Sequence, residues 1–117
     1  MTSGIEIRMN RILHKGKMLC IPMDHGISNG PIEGLEAPHS MIYKCEHHGL
    51  TSVIINKGIL KTLPKPTKIG LLVHFSSSTS VSTAPNRKML TRSVKEAIRL
   101  GADGVSLHIN IGGKEEP

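Results

Sequence analysis

The sequence predicts an α/β fold in which four parallel strands follow a short N-terminal helix. Two observations carry this. First, a unit repeats: helix, Gly49, Leu50, Thr51, strand is echoed by helix, Gly101, Ala102, Asp103, strand. Two copies of helix–Gly–x–x–strand describe successive βα units, whose strands run parallel. Second, the last strand has a mixed parity. Val105, Leu107, Ile109 and Ile111 alternate with Ser106, His108 and Asn110. A strand inside a flat parallel sheet is apolar on both faces. One polar face suits the wall of a barrel near its catalytic mouth.

The elements follow in order. Ile5, Met9, Ile12 and Leu13 recur at helical spacing between Gly4 and Gly16, which predicts an amphipathic helix covering one end of the core. Residues 18–23 form the first strand, with Pro22 placed where pairing ends, because proline cannot donate to a central ladder. A helix over 38–48 starts on Pro38, buries Met41, Ile42 and Cys45, and stops at Gly49. Residues 52–56 form the second strand. Pro64 and Pro66 leave a short, irregular crossover to the third strand, over 68–75. The serine- and threonine-rich stretch 76–83 reads as a surface loop. Ser93 and Glu96 form a capping box for a helix whose apolar face is Leu90, Val94, Ala97 and Ile98 and which Gly101 ends. Residues 104–111 form the fourth strand.

Composition narrows the function classes. A length of 117 residues suits one small domain, spanning 1–117, with one core. Apolar residues at 38% and charged residues at 21% place the chain among globular rather than disordered sequences. With one Tyr, one Phe and no Trp, the core is aliphatic, and the stacking platforms that single-stranded nucleic acid needs are missing. The net charge of +6 is scattered from Arg8 to Lys114. Its densest part, Arg8, Arg11, Lys15 and Lys17, is interrupted by apolar residues. That reads as a solvated surface, not a nucleic-acid or membrane footprint, and it leaves room for a mildly positive site that attracts phosphorylated metabolites. Cys20 and Cys45 have no metal-ligand or CxxC spacing and read as reduced core thiols of a cytoplasmic protein. No signal-peptide core and no run of 18 apolar residues is present.

The chemistry gathers after the first strand. An apolar run leads into Asp24 and His25, followed by Gly26, Gly30 and Pro31. This is a strand handing a carboxylate and an imidazole to a glycine-rich loop, the place where α/β proteins keep catalytic groups. An Asp ahead of such a loop also serves simply as a turn residue. Lys57, at the end of the second strand, is either an amine nucleophile or a solvated or phosphate-binding lysine; a nucleophile needs burial or a neighbouring cation. His25, His74 and His108 with Asp24 show no HxH or HxxxH metal spacing and read better as barrel-lining groups, together with Lys57 and Asn110. His47 and His48 lie at a helix end, on the surface. Gly112 and Gly113 offer backbone amides to a phosphate, but no helix start follows them.

These motifs together resemble a known family. Pro22-Met23-Asp24-His25-Gly26-x-Ser28-x-Gly30-Pro31 is similar to the first-strand motif of archaeal-type class I, Schiff-base aldolases. Lys57-Gly58-Ile59, the strand ending at His74, and Gly101-Ala102-Asp103-Gly104-Val105-Ser106-x-His108-x-Asn110-x-Gly112 match in order and spacing, so the resemblance spans residues 10–112. Within the family the chain looks most like the 2-amino-3,7-dideoxy-D-threo-hept-6-ulosonate synthases, transaldolases of aromatic amino acid biosynthesis. Fructose-bisphosphate aldolases usually lack the Pro-Met lead-in.

The resemblance implies the N-terminal half of a (β/α)8 TIM barrel, a fold that typically needs about 250 residues. It implies Asp24 as the catalytic proton acceptor and Asp24, His25, Gly26, Ile27 and Ser28 as the substrate-contacting loop. It also implies a phosphorylated, sugar-like substrate, no metal and no cofactor. The family places its imine-forming lysine on the sixth strand and a tyrosine proton donor on the fifth. The chain therefore reads as a fragment from a truncated gene, a frameshift or a split protein, inactive alone, with a complementing C-terminal half or a homo-oligomer as partner. The alternatives are a fructose-bisphosphate aldolase fragment and a non-catalytic sugar-phosphate-binding or interaction module.

Overall fold

The computed structural model describes residues 2–25, 33, 37–77, 89–90, 93–109 and 111–112. The elements in chain order are α1 (Ser3–Ile12), β1 (Cys20–Pro22), α2 (Pro38–His47), β2 (Ser52–Ile55), α3 (Lys57–Lys61), β3 (Gly70–His74), β4 (Ser76–Ser77), β5 (Met89–Leu90), α4 (Val94–Arg99) and β6 (Gly104–Ser106). The main sheet has the order β1-β2-β3-β6, and every pairing in it is parallel. It is the predicted set of four strands, with β1 and β6 at the two edges.

The repeat seen in the sequence is a repeat of helix ends. Gly49 and Gly101 have φ of +83° and +86°, a conformation that glycine adopts without steric cost. The following N–H then reaches back five residues: Leu50 to the Cys45 carbonyl at 3.3 Å and Ala102 to the Ala97 carbonyl at 3.0 Å. Each helix stops in this way and turns directly into the next strand.

Sheet parity separates two faces. Val53 and Ile55 of β2 and Leu71 of β3 are buried against Ile42 and Cys45 of α2, with Ile59 and Leu60 of α3 packed on them. Val73 and Phe75 pack on Ala97 of α4, and Leu60 touches both groups, joining them into one apolar layer in which Phe75 is the aromatic member of an otherwise aliphatic core. The opposite face carries Cys20 and Pro22, Ser52 and Ile54, Gly70, Leu72 and His74, and Gly104 and Ser106 in register. α1 closes the lower end of that face. A Cβ on Gly70 would lie 2.9 Å from the Arg11 carbonyl oxygen and from Ile12 Cα and Cγ1. Arg11 Nε binds Asp103 Oδ1 at 2.8 Å, and its Nη2 donates to the Ile69 carbonyl at 3.2 Å.

Several expectations need correction. α1 buries only Ile12, while Ile5 and Met9 are exposed, because the helix touches the sheet through its C-terminal turn alone. Cys20 is half-buried, not a core thiol, since it sits on an edge strand; Cys45 is buried. β1 is shorter than 18–23. Met23 N–H bonds the Ile54 carbonyl at 2.7 Å, so the alternate position, Pro22, turns its donor-less nitrogen to the open edge. β6 is shorter than 104–111, because its partner chain leaves the ladder after Phe75 to form β4, which pairs antiparallel with β5. Part of the predicted serine-rich loop is therefore strand; 78–83 lie outside the described residues. Leu90 belongs to β5, and Val94 and Ile98 of α4 are exposed, so Ala97 is the one buried residue of that helix. The Ser93 cap forms, its Oγ accepting from Glu96 N–H at 3.2 Å, while the Glu96 carboxylate turns to Lys57.

Candidate active site

Continuing the sheet register two residues past Pro22, Ile54 and Leu72 places Asp24, Asn56, His74 and Ser106 in one row. The row crosses the C-terminal ends of all four strands, on the face opposite the helices. Side chains two apart on a strand share a face, so this polar row lies above an apolar one of Pro22, Ile54 and Leu72. That is the change from core to site expected at a barrel mouth.

The members of the row touch. Asn56 Nδ2 donates to the Asp24 carbonyl at 3.4 Å. His74 Nε2 lies 3.4 Å from Asp24 Oδ2, with both side chains largely buried. His74 Nδ1 lies 3.0 Å from Ser106 Oγ. One step higher, Ser76 Oγ accepts from His108 N–H at 2.9 Å and donates to the His108 carbonyl at 3.1 Å. This ties the strand ends together just above the row.

The other residues singled out in the sequence fall differently. His25 follows Asp24 directly and is exposed. Gly26, Ile27, Ser28 and Asn110 lie outside the described residues. His108 is exposed and enters the upper tie through its backbone. Lys57 is the first residue of α3, and its ammonium sits 2.8 Å from Glu96 Oε1, with both side chains about a third exposed (30% and 35%). The amine is thus engaged with a carboxylate of α4 rather than presented to the row. Asn56 was not singled out in the sequence. Its place follows from the β1–β2 register, which no local pattern reveals. Among the described residues, no three His, Cys, Asp or Glu side chains are grouped so as to hold a metal ion, and no helix is long and apolar enough to cross a membrane.

Two clefts lined by described residues lie away from the row. One of about 260 Å³ runs beside Asn10, His14, Thr51 and Lys68, and one of about 440 Å³ beside Leu63, Pro66, Thr67 and Leu100. Both adjoin α1 and the N-terminal ends of the strands. The polar row lies on the face of the sheet opposite the helices, with the Asp24 and His74 side chains largely buried.

Comparison with known proteins agrees with this geometry. The profile of the DeoC/LacD family aldolases matches residues 18–117. The chain is 40% identical over 115 residues to 2-amino-3,7-dideoxy-D-threo-hept-6-ulosonate synthase 1 of Archaeoglobus fulgidus, covering 97% of this chain and 44% of the relative. It is 38% identical over 116 residues to the synthase of the same name from Halobacterium salinarum, covering 98% and 44%. It is 32% identical over 115 residues to 2-amino-4,5-dihydroxy-6-oxo-7-(phosphonooxy)heptanoate synthase of Streptomyces griseus, covering 95% and 42%. The chain thus spans less than half the length of these relatives. In structure it matches a Schiff base-forming fructose-1,6-bisphosphate aldolase with a TM-score of 0.78 at 24% identity, covering 97% of this chain and 47% of that one. An archaeal fructose 1,6-bisphosphate aldolase matches with a TM-score of 0.80 at 24% identity, covering 95% and 46%. The fold is half of a (β/α)8 barrel.

Proposed function

The chain belongs to the DeoC/LacD aldolase family, and from that membership we infer that the row at the strand ends is the proton-handling wall of a class I aldolase site. The observation that carries this reading is the position of Asp24. It stands at the C-terminal end of β1, largely buried, with its carboxylate beside His74 and its carbonyl held by Asn56.

Class I chemistry joins a lysine amine to a substrate ketone as an iminium, which serves as an electron sink. When the neighbouring carbon–carbon bond breaks, its electron pair moves into the iminium and leaves an enamine. The hydroxyl on the departing carbon becomes a carbonyl and gives its proton to a base. Asp24 is that base. In the synthetic direction it returns the proton to the new hydroxyl. The lysine comes from the wall that would pair with the open edges of β1 and β6, in the same polypeptide or in a complementing one. Lys57 does not take the role, because it is committed to Glu96.

Identity near 40% to the two archaeal synthases favours a transaldolase of the 2-amino-3,7-dideoxy-D-threo-hept-6-ulosonate type over a fructose-bisphosphate aldolase. The names of the Streptomyces relative and of the structural neighbours speak for a phosphorylated, sugar-like substrate. By this reading a protein of these 117 residues is inactive by itself.

The test is complementation. The chain is coexpressed with the C-terminal half of the Archaeoglobus synthase, and carbon–carbon cleavage of ketose phosphates is assayed. Turnover by the pair and none by either half is expected. Turnover by the 117-residue chain alone, or none from a pair that copurifies, overturns the reading.

A further inference from the structure

We propose that His74 is the positioning residue for the Asp24 carboxylate, and that Ser106 in turn holds His74. This rests on the reading of Asp24 as the proton acceptor and adds what aims it. A carboxylate's terminal torsion is broad and nearly two-fold, so packing alone does not decide which oxygen faces the substrate. Here one oxygen is engaged: Asp24 Oδ2 has the His74 imidazole at 3.4 Å. Among the described residues Oδ1 has no hydrogen-bond partner, and it is the oxygen left for the reacting hydroxyl.

The polarity of the two contacts follows from the chemistry of the groups. An ionised carboxylate only accepts, so the nitrogen that faces it, His74 Nε2, carries the hydrogen. In the neutral ring Nδ1 is then a lone pair, and the Ser106 hydroxyl, 3.0 Å away, donates to it. Ser106 Oγ, the His74 ring and Asp24 Oδ2 line up across the ends of β6, β3 and β1, with a hydrogen bond at Nδ1 and a 3.4 Å charge contact at Nε2. The ring is held at Nδ1, faces the carboxylate through Nε2, and its side chain is 13% exposed, so it has little freedom to swing. Proton transfer to Oδ1 leaves the contact at Oδ2 in place, and the carboxylate keeps its aim through the reaction.

The other titratable groups around the row are His25, exposed beside Asp24; Lys57 at the start of α3, with its ammonium on Glu96; and His108 beyond β6. The test must separate them from His74. Carbon-13 and nitrogen-15 NMR of the full 117-residue chain does so residue by residue and needs no turnover. It can therefore fail while Asp24 remains the acceptor, and it can succeed where complementation fails.

His74→Gln is expected to move the Asp24 carboxyl carbon signal, because the ring faces Oδ2, and to leave the His25 and His108 ring signals unchanged. If that variant does not fold, Asp24→Asn is read instead, through a move of the His74 Nε2 signal. Ser106→Ala speeds exchange of the His74 Nε2–H, and Ser106→Thr restores it. An Asp24 signal blind to His74→Gln, or His74 ring signals indifferent to Asp24→Asn, overturns the proposal.

Discussion

Asp103 and Leu71 exchange two hydrogen bonds: the Asp103 N–H donates to the Leu71 carbonyl at 2.8 Å, and Asp103 Oδ2 accepts from the Leu71 N–H at 2.9 Å. Thr51 and Leu19 make the same exchange 52 residues earlier in the chain. The Thr51 N–H donates to the Leu19 carbonyl at 2.9 Å, and Thr51 Oγ1 accepts from the Leu19 N–H at 2.9 Å. The residue after Gly-x in each copy of the repeat therefore closes the lower end of the preceding strand. Asp103 does more, because its Oδ1 also holds Arg11 and so α1.

Asp103→Ala leaves the Leu71 N–H and the Arg11 guanidinium without this partner. The expected loss is about 2–3 kcal/mol of stability, since a stranded donor costs its desolvation. Asp103→Asn keeps an acceptor for Leu71 and loses the charge pair, at about 1 kcal/mol. Urea unfolding followed by circular dichroism ranks the two variants. Equal losses would contradict the division of labour between the two carboxylate oxygens.

Gly70 and Gly104 share a face but differ in what crowds them. A methyl on Gly70 meets backbone atoms of Arg11 and Ile12 at 2.9 Å, so α1 must lift. A methyl on Gly104 meets Leu72 Cδ2 at 2.6 Å, the movable end of a flexible side chain. Overpacking costs about 1–3 kcal/mol, and Gly70→Ala belongs at the upper end with Gly104→Ala at the lower. Thermal unfolding decides the order, and faster proteolysis within α1 is expected only in Gly70→Ala.

Ser52 is fully buried beside Gly70 in the sheet register, and its hydroxyl finds no partner among the described residues. Removing an unpaired buried hydroxyl relieves its desolvation cost. Ser52→Ala is expected to raise stability by about 1 kcal/mol in the same unfolding assay. A loss of that size would mean that the hydroxyl is bonded.

Burial pushes the Cys45 thiol above its ordinary pKa. The folded state thus holds the thiol proton to higher pH than the unfolded chain does. The stability tied to this group is complete below the unfolded pKa and is lost as pH rises through the folded one. At pH 8, iodoacetamide should modify half-buried Cys20 well before Cys45, and the two should react alike in denaturant. Mass spectrometry of timed samples reads both sites.

Much of the fold was legible because glycine, proline and alternation act locally. Gly49 and Gly101 marked helix ends, Pro38 a helix start, and the alternation through Val105 and Ser106 a two-faced strand. Asp24 was legible as a carboxylate at the end of the first strand, and the motif around it carried the family resemblance. Asn56 was not legible, because its link to Asp24 exists only through the β1–β2 register. The tie between Lys57 and Glu96 was hidden for the same reason, since it joins α3 to α4 across 39 residues of chain. The exposed faces of α1 and α4 escaped too. Helical periodicity shows which side of a helix is apolar, not whether anything covers it.

If Asp24 moves the proton while a lysine outside the polar row forms the imine, the two steps separate in one variant. The direct measurement is made on the complemented pair with Asp24→Asn. Borohydride traps the imine, mass spectrometry locates the adduct, and carbon–carbon cleavage is timed in parallel. General base catalysis is worth about 10²–10⁴-fold. A trapped adduct on a lysine of the C-terminal half is expected, at undiminished yield, with cleavage slowed by a factor in that range. Cleavage at the unsubstituted rate, or an adduct on Lys57, would contradict this reading.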